Sequence, residues 1–244
     1  MRRHIDFERL HNFRDLGGYR TADGGTVRWE TLYRSDSLGK LADTDLERFR
    51  ALGVGTVIDL RYPWEIAEKG RLPETEEVSW HNLSIEHRFY HQESVDPALD
   101  PWRYLADRYA EVAEDGAEEL RTALELIAAA EEPLVFHCHS GKDRTGLLAA
   151  VVLGLLDVPD EEILADFALT ELATERLIDD WRAAHPGKEP RWPGFGRAPA
   201  DVIRLFLADL RERYGSVYEY ATGHVGLDPA VVTALRARLV EAAA

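Results

Sequence analysis

With 244 residues, 45% of them apolar, the chain can bury a substantial core as one domain or a domain with a large insertion. Its formal net charge of −16 argues against a nucleic-acid binder held by bulk attraction. No stretch approaches the roughly 18 apolar residues of a membrane span, and "MRRHIDFERLHNF" lacks the apolar centre of a secretory signal; the compartment stays open, with the cytoplasm as the default and leaderless export as the alternative.

The elements follow in chain order. "GTVRWETLYRSD" alternates after a Gly-Gly turn and predicts a short strand pair ending near Arg34. "LADTDLERFRALGVG" predicts a helix, with an Asp or Thr cap, apolar Leu46, Phe49 and Leu52, and Gly53 as its stop. "VGTVIDLR" is a β-branched run suited to a buried strand ending at Asp59-Leu60-Arg61, and "EEVSWHNLSI" predicts another strand. Two helices, broken at Gly116, follow in "DPWRYLADRYAEVAED" and "AEELRTALELIAAAEE". "PLVFHC" is a short apolar strand leading into a loop, and "RTGLLAAVVLGLLDV" is a very apolar helix directly after it.

From Pro159 onward the chain reads as helical, beginning with one long amphipathic segment, "DEEILADFALTELATERLIDDWRAAH". "PGKEPRWPGFGRAP" interrupts it, and three further helical stretches follow. Strands alternating with helices predict an α/β fold: a central, mostly parallel sheet flanked by helices, with a helical C-terminal third. Residues 1–244 read as a single domain with no internal repeat and no long linker.

The chemistry concentrates in "VFHCHSGKDRTGLL", which holds the only cysteine, Cys138, so no intrachain disulfide exists. An apolar strand ends at that cysteine, a tight loop contains Gly141, and a helix begins near Arg144. Strand–loop–helix geometry turns successive backbone N–H groups inward above a helix N-terminus, which makes an anion cradle. Such surroundings lower a cysteine pKa from about 8.5 to roughly 3.5–7.5. The thiolate is then a nucleophile placed for attack on phosphorus. Arg144 can hold two equatorial phosphate oxygens in its planar fork, and the Thr145 hydroxyl can donate to the sulfur.

Three plainer readings compete. A lone cysteine at a strand end is commonly structural. "SGKD" resembles a Walker motif only superficially, because Phe136 and Asp143 stand where glycine and Ser/Thr are required. His137 and His139 flank the cysteine but alternate residues of a strand end point apart, and no other Cys/His cluster joins them, so no metal is expected.

"HCHSGKDRTG" resembles the signature of cysteine-dependent protein tyrosine phosphatases. It is most similar to the bacterial branch with the loop H-C-x-x-G-K-D-R-T-G, which includes actinobacterial tyrosine and phosphoinositide phosphatases. "NFRDLGGYRTADGGTVRWETLYRSDSL", "LGVGTVIDLR" and "YGSVYEYATGHVGLD" are similar to that family's other segments in content and order. The resemblance implies Cys138 as nucleophile, Arg144 as phosphate clamp and Asp143 as general acid, with His139, Ser140, Gly141, Lys142 and Thr145 binding phosphate. It implies that His137, Asp59 and Arg61 support the loop, that no cofactor is needed, and that a helical lid or insert lies within residues 160–199. Ile163, Phe167, Leu172, Leu177 and Ile178 form an apolar stripe there that fits a lid or plain core packing equally.

Asp59, Asp96 and Asp100 compete with Asp143 for the acid role. Asp96 and Asp100 in "SVDPALDPW" fit a movable loop, though Asp-Pro pairs more often form turns and caps. "RWPGF" carries Trp192-Pro193 but Gly194 in place of an acid, and Asp143 itself also fits a helix N-cap. Arg14 and Asp15 read as a structural salt bridge. The expected activity is phosphomonoester hydrolysis, on phosphotyrosine proteins with serine/threonine or phosphoinositide substrates also considered. An idle phosphate-binding module and a rhodanese-like sulfurtransferase are the alternatives, and the oligomeric state is unreadable.

Overall fold

A computed structural model describes residues 3–73, 77–90, 95–96 and 98–243. Arg14–Asp15 forms β1, Thr26–Val27 β2 and Leu32–Ser35 β3. Helix α1 (Asp43–Ala51) leads to β4 (Thr56–Asp59), α2 (Pro63–Lys69) and β5 (Ser79–Asn82). Helices α3 (Pro101–Asp115) and α4 (Ala117–Ala129) meet at Gly116, and β6 (Leu134–His137) then runs into α5 (Asp143–Leu155). The chain continues through α6 (Asp160–Ala168), α7 (Thr174–Ala184), α8 (Ala200–Tyr214), a short α9 (Val217–Glu219), α10 (Pro229–Leu239) and β7 (Val240–Glu241).

The main sheet has the order β1-β3-β6-β4-β5, parallel except for β1. Strand β6 is central, so the loop after it opens at the middle of the sheet's carboxyl edge, where open α/β sheets bind ligands. Side chains alternate between faces. Tyr33, Val135 and Val57 form one row across three strands, packed on Phe13 and Phe49. Phe136 and Ile58 point the other way, into the larger core beneath the helices. Helix α5 is apolar on every side because it is enclosed on every side: Leu147, Leu148, Val151 and Val152 are all buried.

Three expectations change. The strand pair before Arg34 is not a hairpin: β2 pairs with β7 at the far end of the chain, while β3 enters the main sheet. Asp15 causes the parting, because its carboxylate accepts the amides of Gly17 and Glu30 at 2.7 Å each and turns the chain between the two strands. Helix α1 has Ala42 at its N-cap with no side-chain cap, rather than Asp or Thr. The long segment after Pro159 breaks at Leu169–Ala173. Buried Thr170 is held there by Arg14 Nη2 (3.3 Å), and Glu171 pairs with Arg197, which anchors the turn and redirects α7.

Candidate active site

The loop from Cys138 to Asp143 is tied from behind by its carbonyls. The amide of Ser37 donates to His139 O (3.0 Å), Asn12 Nδ2 to Ser140 O (3.0 Å) and Gly141 O (3.1 Å), and Arg34 Nη2 to Gly141 O (2.8 Å). Gly141 is required twice over: its φ is +68°, and an added Cβ would lie 2.5 Å from Ser35 O. With the carbonyls turned outward, the amides of Ser140 to Asp143 donate to no protein acceptor among the described residues. This is the nest that an oxyanion occupies.

Cys138 follows β6 and is buried, at 1% exposure. His137 Nδ1 donates to Cys138 O (3.1 Å) and its Nε2 lies 3.6 Å from Asp59 Oδ2. Asp59 is locked in turn by Arg61, through Nε (2.9 Å) and Nη2 (2.7 Å). Burial pushes the Asp59 carboxyl up, but its charged neighbours prevail and hold it below the usual carboxylate range. Asp59, Arg61 and His137 therefore stand behind the loop as a buried, hydrogen-bonded brace.

Arg144 does not turn to water. Its Nη1 bonds Glu65 Oε2 (2.5 Å) and Leu60 O (3.4 Å), and its Nη2 bonds Glu65 Oε1 (3.0 Å). The Nε edge lies 3.6 Å from Glu86 Oε2, and the guanidinium sits over the Tyr62 ring. Burial opposes its charge, yet the Glu65 hydrogen bonds and the charge of the Cys138 sulfur outweigh it and keep it protonated. Helix α2 presents Glu65 for this purpose: the carboxylate also accepts the Tyr62 amide (2.8 Å) at the helix start. Replacing Arg144 by Lys keeps the charge but loses the planar fork. Arg144→Lys is expected to lower kcat/KM on an aryl phosphate about 10²-fold or more, on the scale of losing an oxyanion donor. A loss below tenfold in steady-state kinetics would show that a point charge suffices.

Asp143 is the first residue of α5, and the N-cap position belongs to Lys142. The carboxyl caps no amide; it accepts the Tyr109 hydroxyl (2.9 Å) and pairs with Lys142 Nζ (3.3 Å) at the cleft wall. Lys142 is buried while lining the cleft. Thr145 Oγ1 is buried and makes no hydrogen bond to the sulfur or any other described group. Asp100 caps α3 through the amides of Trp102 and Arg103, and Asp96 accepts the Ala98 amide, so both are turn formers away from the cleft. Trp192 is core, packed edge-on to Tyr104.

The cleft over the loop has a volume of about 420 Å³. One side carries Ser140, Asp143 and Arg144; the other is built by Ile178 and Trp181 of α7 with Phe195 beyond it. The apolar stripe thus divides: Ile163 and Phe167 are core, Leu172 is 71% exposed, and Leu177 and Ile178 face the cleft. Arg14 pairs with Asp166 rather than Asp15. Glu65, Glu86, Asn12, Arg34 and Asp166 went unread in the sequence. The one local signal was Glu65, three residues after Tyr62 at a Pro-started helix, the spacing of a capping box.

Among the described residues no group of three or more His, Cys, Asp or Glu is arranged to hold a metal ion, and no helix is long and apolar enough to cross a membrane. A tyrosine-protein phosphatase of Nostoc commune is 29% identical over 225 residues, covering 87% of this chain and 75% of that protein. The triple specificity protein phosphatase PtpB of Mycobacterium tuberculosis is 28% identical over 185 residues, covering 64% of this chain and 65% of the other. Among solved structures, P. aeruginosa TpbA matches at 22% identity over 78% of this chain and 96% of that chain, with a TM-score of 0.37. Residues 5–241 match the tyrosine phosphatase family, and the chain belongs to it as a protein tyrosine phosphatase, a phosphoric monoester hydrolase.

Proposed function

We propose that the chain hydrolyses phosphotyrosine in proteins through a phosphocysteine on Cys138. The observation that carries this reading is the loop itself, with carbonyls bound outward, amides free inward, and a clamped arginine beside the only thiol. In the first step the Cys138 thiolate attacks phosphorus, the P–O bond to the tyrosine breaks, and Asp143 gives the departing oxygen its proton. In the second, Asp143 takes a proton from water, the water oxygen attacks phosphorus, and the S–P bond breaks to return the thiolate and release phosphate. The Nε and Nη2 edge of Arg144 and the loop amides hold the equatorial oxygens throughout. Ser140 and Gly141 supply amides, His139 and Lys142 line the phosphate's side of the cleft, and in this reading the Thr145 hydroxyl, unbonded in the resting site, turns to the sulfur as it leaves.

The cleft wall from α7 to Gly196 serves in this reading as a lid on a single catalytic domain, and the loop sequence supports the H-C-x-x-G-K-D-R-T-G branch. A working thiol is kept reduced most readily in the cytoplasm, which is where this reading places the enzyme. A second reading, activity on phosphoinositides, is favoured by the lysines: Lys40, Lys69 and Lys142, three of the four in the chain, line the cleft. Each is paired with an acid, Lys40 with Asp36 and Asp180, Lys69 with Glu68, Lys142 with Asp143. The relative named for triple specificity supports a substrate range wider than phosphotyrosine alone.

The acid role is tested by leaving-group basicity. A tyrosine oxygen, with a pKa of about 10, needs its proton more than a nitrophenolate does. Asp143→Asn is therefore expected to lose about 10²-fold in kcat/KM, which reads only the steps up to departure of the leaving group, on a phosphotyrosine peptide and much less on nitrophenyl phosphate. Equal losses on both would remove Asp143 from the acid role. Parallel rates on phosphoserine peptide and phosphoinositide rank the substrates. Binding of phosphopeptide without turnover, or sulfur transfer from thiosulfate, would favour the idle module or the sulfurtransferase instead.

A further inference from the structure

Glu86 has no part in the chemistry described so far, yet it lines the cleft beside Asp143 and Arg144 and is nearly buried, at 8% exposure. A guanidinium has five N–H donors. On Arg144, Nη1 is occupied by Glu65 and Leu60 O, and one Nη2 hydrogen by Glu65. What remains is the Nε–H and the second Nη2 hydrogen, side by side: the fork that fits two oxygens of a phosphate. The carboxylate facing that fork is Glu86, with Oε2 3.6 Å from Nε, within ion-pair reach but not hydrogen bonded.

We propose that Glu86 is a positioning residue that competes with the substrate's phosphate for the Nε edge of Arg144, so that phosphate enters when Glu86 takes up a proton. This rests on the reading of Arg144 as the phosphate clamp. The groups around Glu86 make the exchange feasible. Asp143 and Arg144 face it from α5, Arg108 and Tyr109 from α3, Glu65 and Tyr62 from the start of α2, and Tyr90 from its own segment. Burial raises its pKa, Asp143 and Glu65 add to the rise, and Arg144 and Arg108 only partly offset it. Ionised, Glu86 completes a two-carboxylate cage that fixes Arg144 before substrate arrives. A phosphate dianion at the fork adds negative charge against the same carboxyl, which favours its protonated form. The proton comes from solvent and returns there when phosphate leaves, so anion binding and proton uptake are linked.

The test is anion binding without turnover, in the Cys138→Ser chain so that no thiolate titrates. Sulfate, a dianion throughout, is titrated calorimetrically from the ordinary carboxyl range, at about pH 4, up to about pH 8, because the Glu86 carboxyl is raised above that range. The parent should bind more tightly as pH falls. Adding Glu86→Gln should tighten binding about tenfold or more at about pH 8 by removing the opposing charge, with the two curves converging as pH falls. Glu86→Asp, which keeps the charge, should keep the pH dependence. If the parent binds sulfate but the Gln variant binds it equally or more weakly at about pH 8, the inference fails and Glu86 merely supports Arg144. If no variant binds sulfate at any pH, the anion cradle itself fails, and this inference with it.

Discussion

Cys138→Ser is expected to abolish turnover of a small aryl phosphate, by roughly 10⁴-fold or more, while leaving the fold and phosphate binding in place. The reasoning starts from the local chemistry. Serine fills nearly the same volume, and Cys138 is buried with only its backbone carbonyl in a hydrogen bond to His137, so the exchange disturbs little packing. What disappears is the sulfur nucleophile. A serine hydroxyl ionises far less readily than a thiol, so it offers no comparable nucleophile at this position. The amides of Ser140 to Asp143 and the Arg144 fork remain, so the variant should still bind phosphotyrosine peptide. Chelators should leave the parent's rate unchanged, since sulfur and guanidinium supply the nucleophile and the charge. Steady-state kinetics and calorimetry on the same preparation decide the matter. Retained turnover in the serine variant ends the phosphocysteine reading, and loss of binding together with turnover would mean that the sulfur supports the loop.

What could be read from the chain and what could not divides along sequence distance. The strand into Cys138, the glycine of the loop and the apolar helix after it are contiguous, so propensity and pattern determine them together. The mostly parallel sheet follows from strands and helices that alternate along the chain, and the helix break at Gly116 is local punctuation. The acids and amides that hold the loop are not local. Glu65 lies 79 residues from Arg144, and Asp166 lies 152 from Arg14. In a chain with 45 acidic and 29 basic residues no spacing rule selects those partners. Asp15 misled for the same reason: next to Arg14 in sequence, it alternates to the other side of β1 and serves two backbone amides instead. The pairing of β2 with β7 was likewise invisible, because it joins the two ends of the chain through two short edge strands.

Asp166→Ala is expected to cost the fold about 3–5 kcal/mol, the range for stranding buried charges by removing their partner. Asp166 Oδ1 receives Arg14 Nε (3.0 Å) and the Tyr19 hydroxyl (3.1 Å), and Oδ2 receives Arg34 Nη1 (2.6 Å). All three charged side chains are at most 1% exposed, so no solvent screens the loss. Burial pushes the Asp166 carboxyl up, but Arg14 and Arg34 together overcome it and hold it well below the usual carboxylate range. Its stabilising contribution is therefore complete above the ordinary value of about 4 and is lost as pH falls toward the depressed one. The variant's melting temperature should drop by roughly 6–20 °C at neutral pH, taking 2–4 °C per kcal/mol for a chain of this size. The gap to the parent should narrow in strong acid. The same network reaches the catalytic loop, through Arg34 to Gly141 O and through Arg14 and Asn12 to Ser140 O. Replacing Arg14, Arg34 and Asp166 together by apolar residues of similar volume should recover most of the stability without recovering kcat, since Gly141 O then loses its Arg34 donor and Asn12 loses the Arg14 contact that holds it. If the triple variant regained both, the triad would be scaffolding alone; if Asp166→Ala melted with the parent, the buried pairs would carry no stability at all.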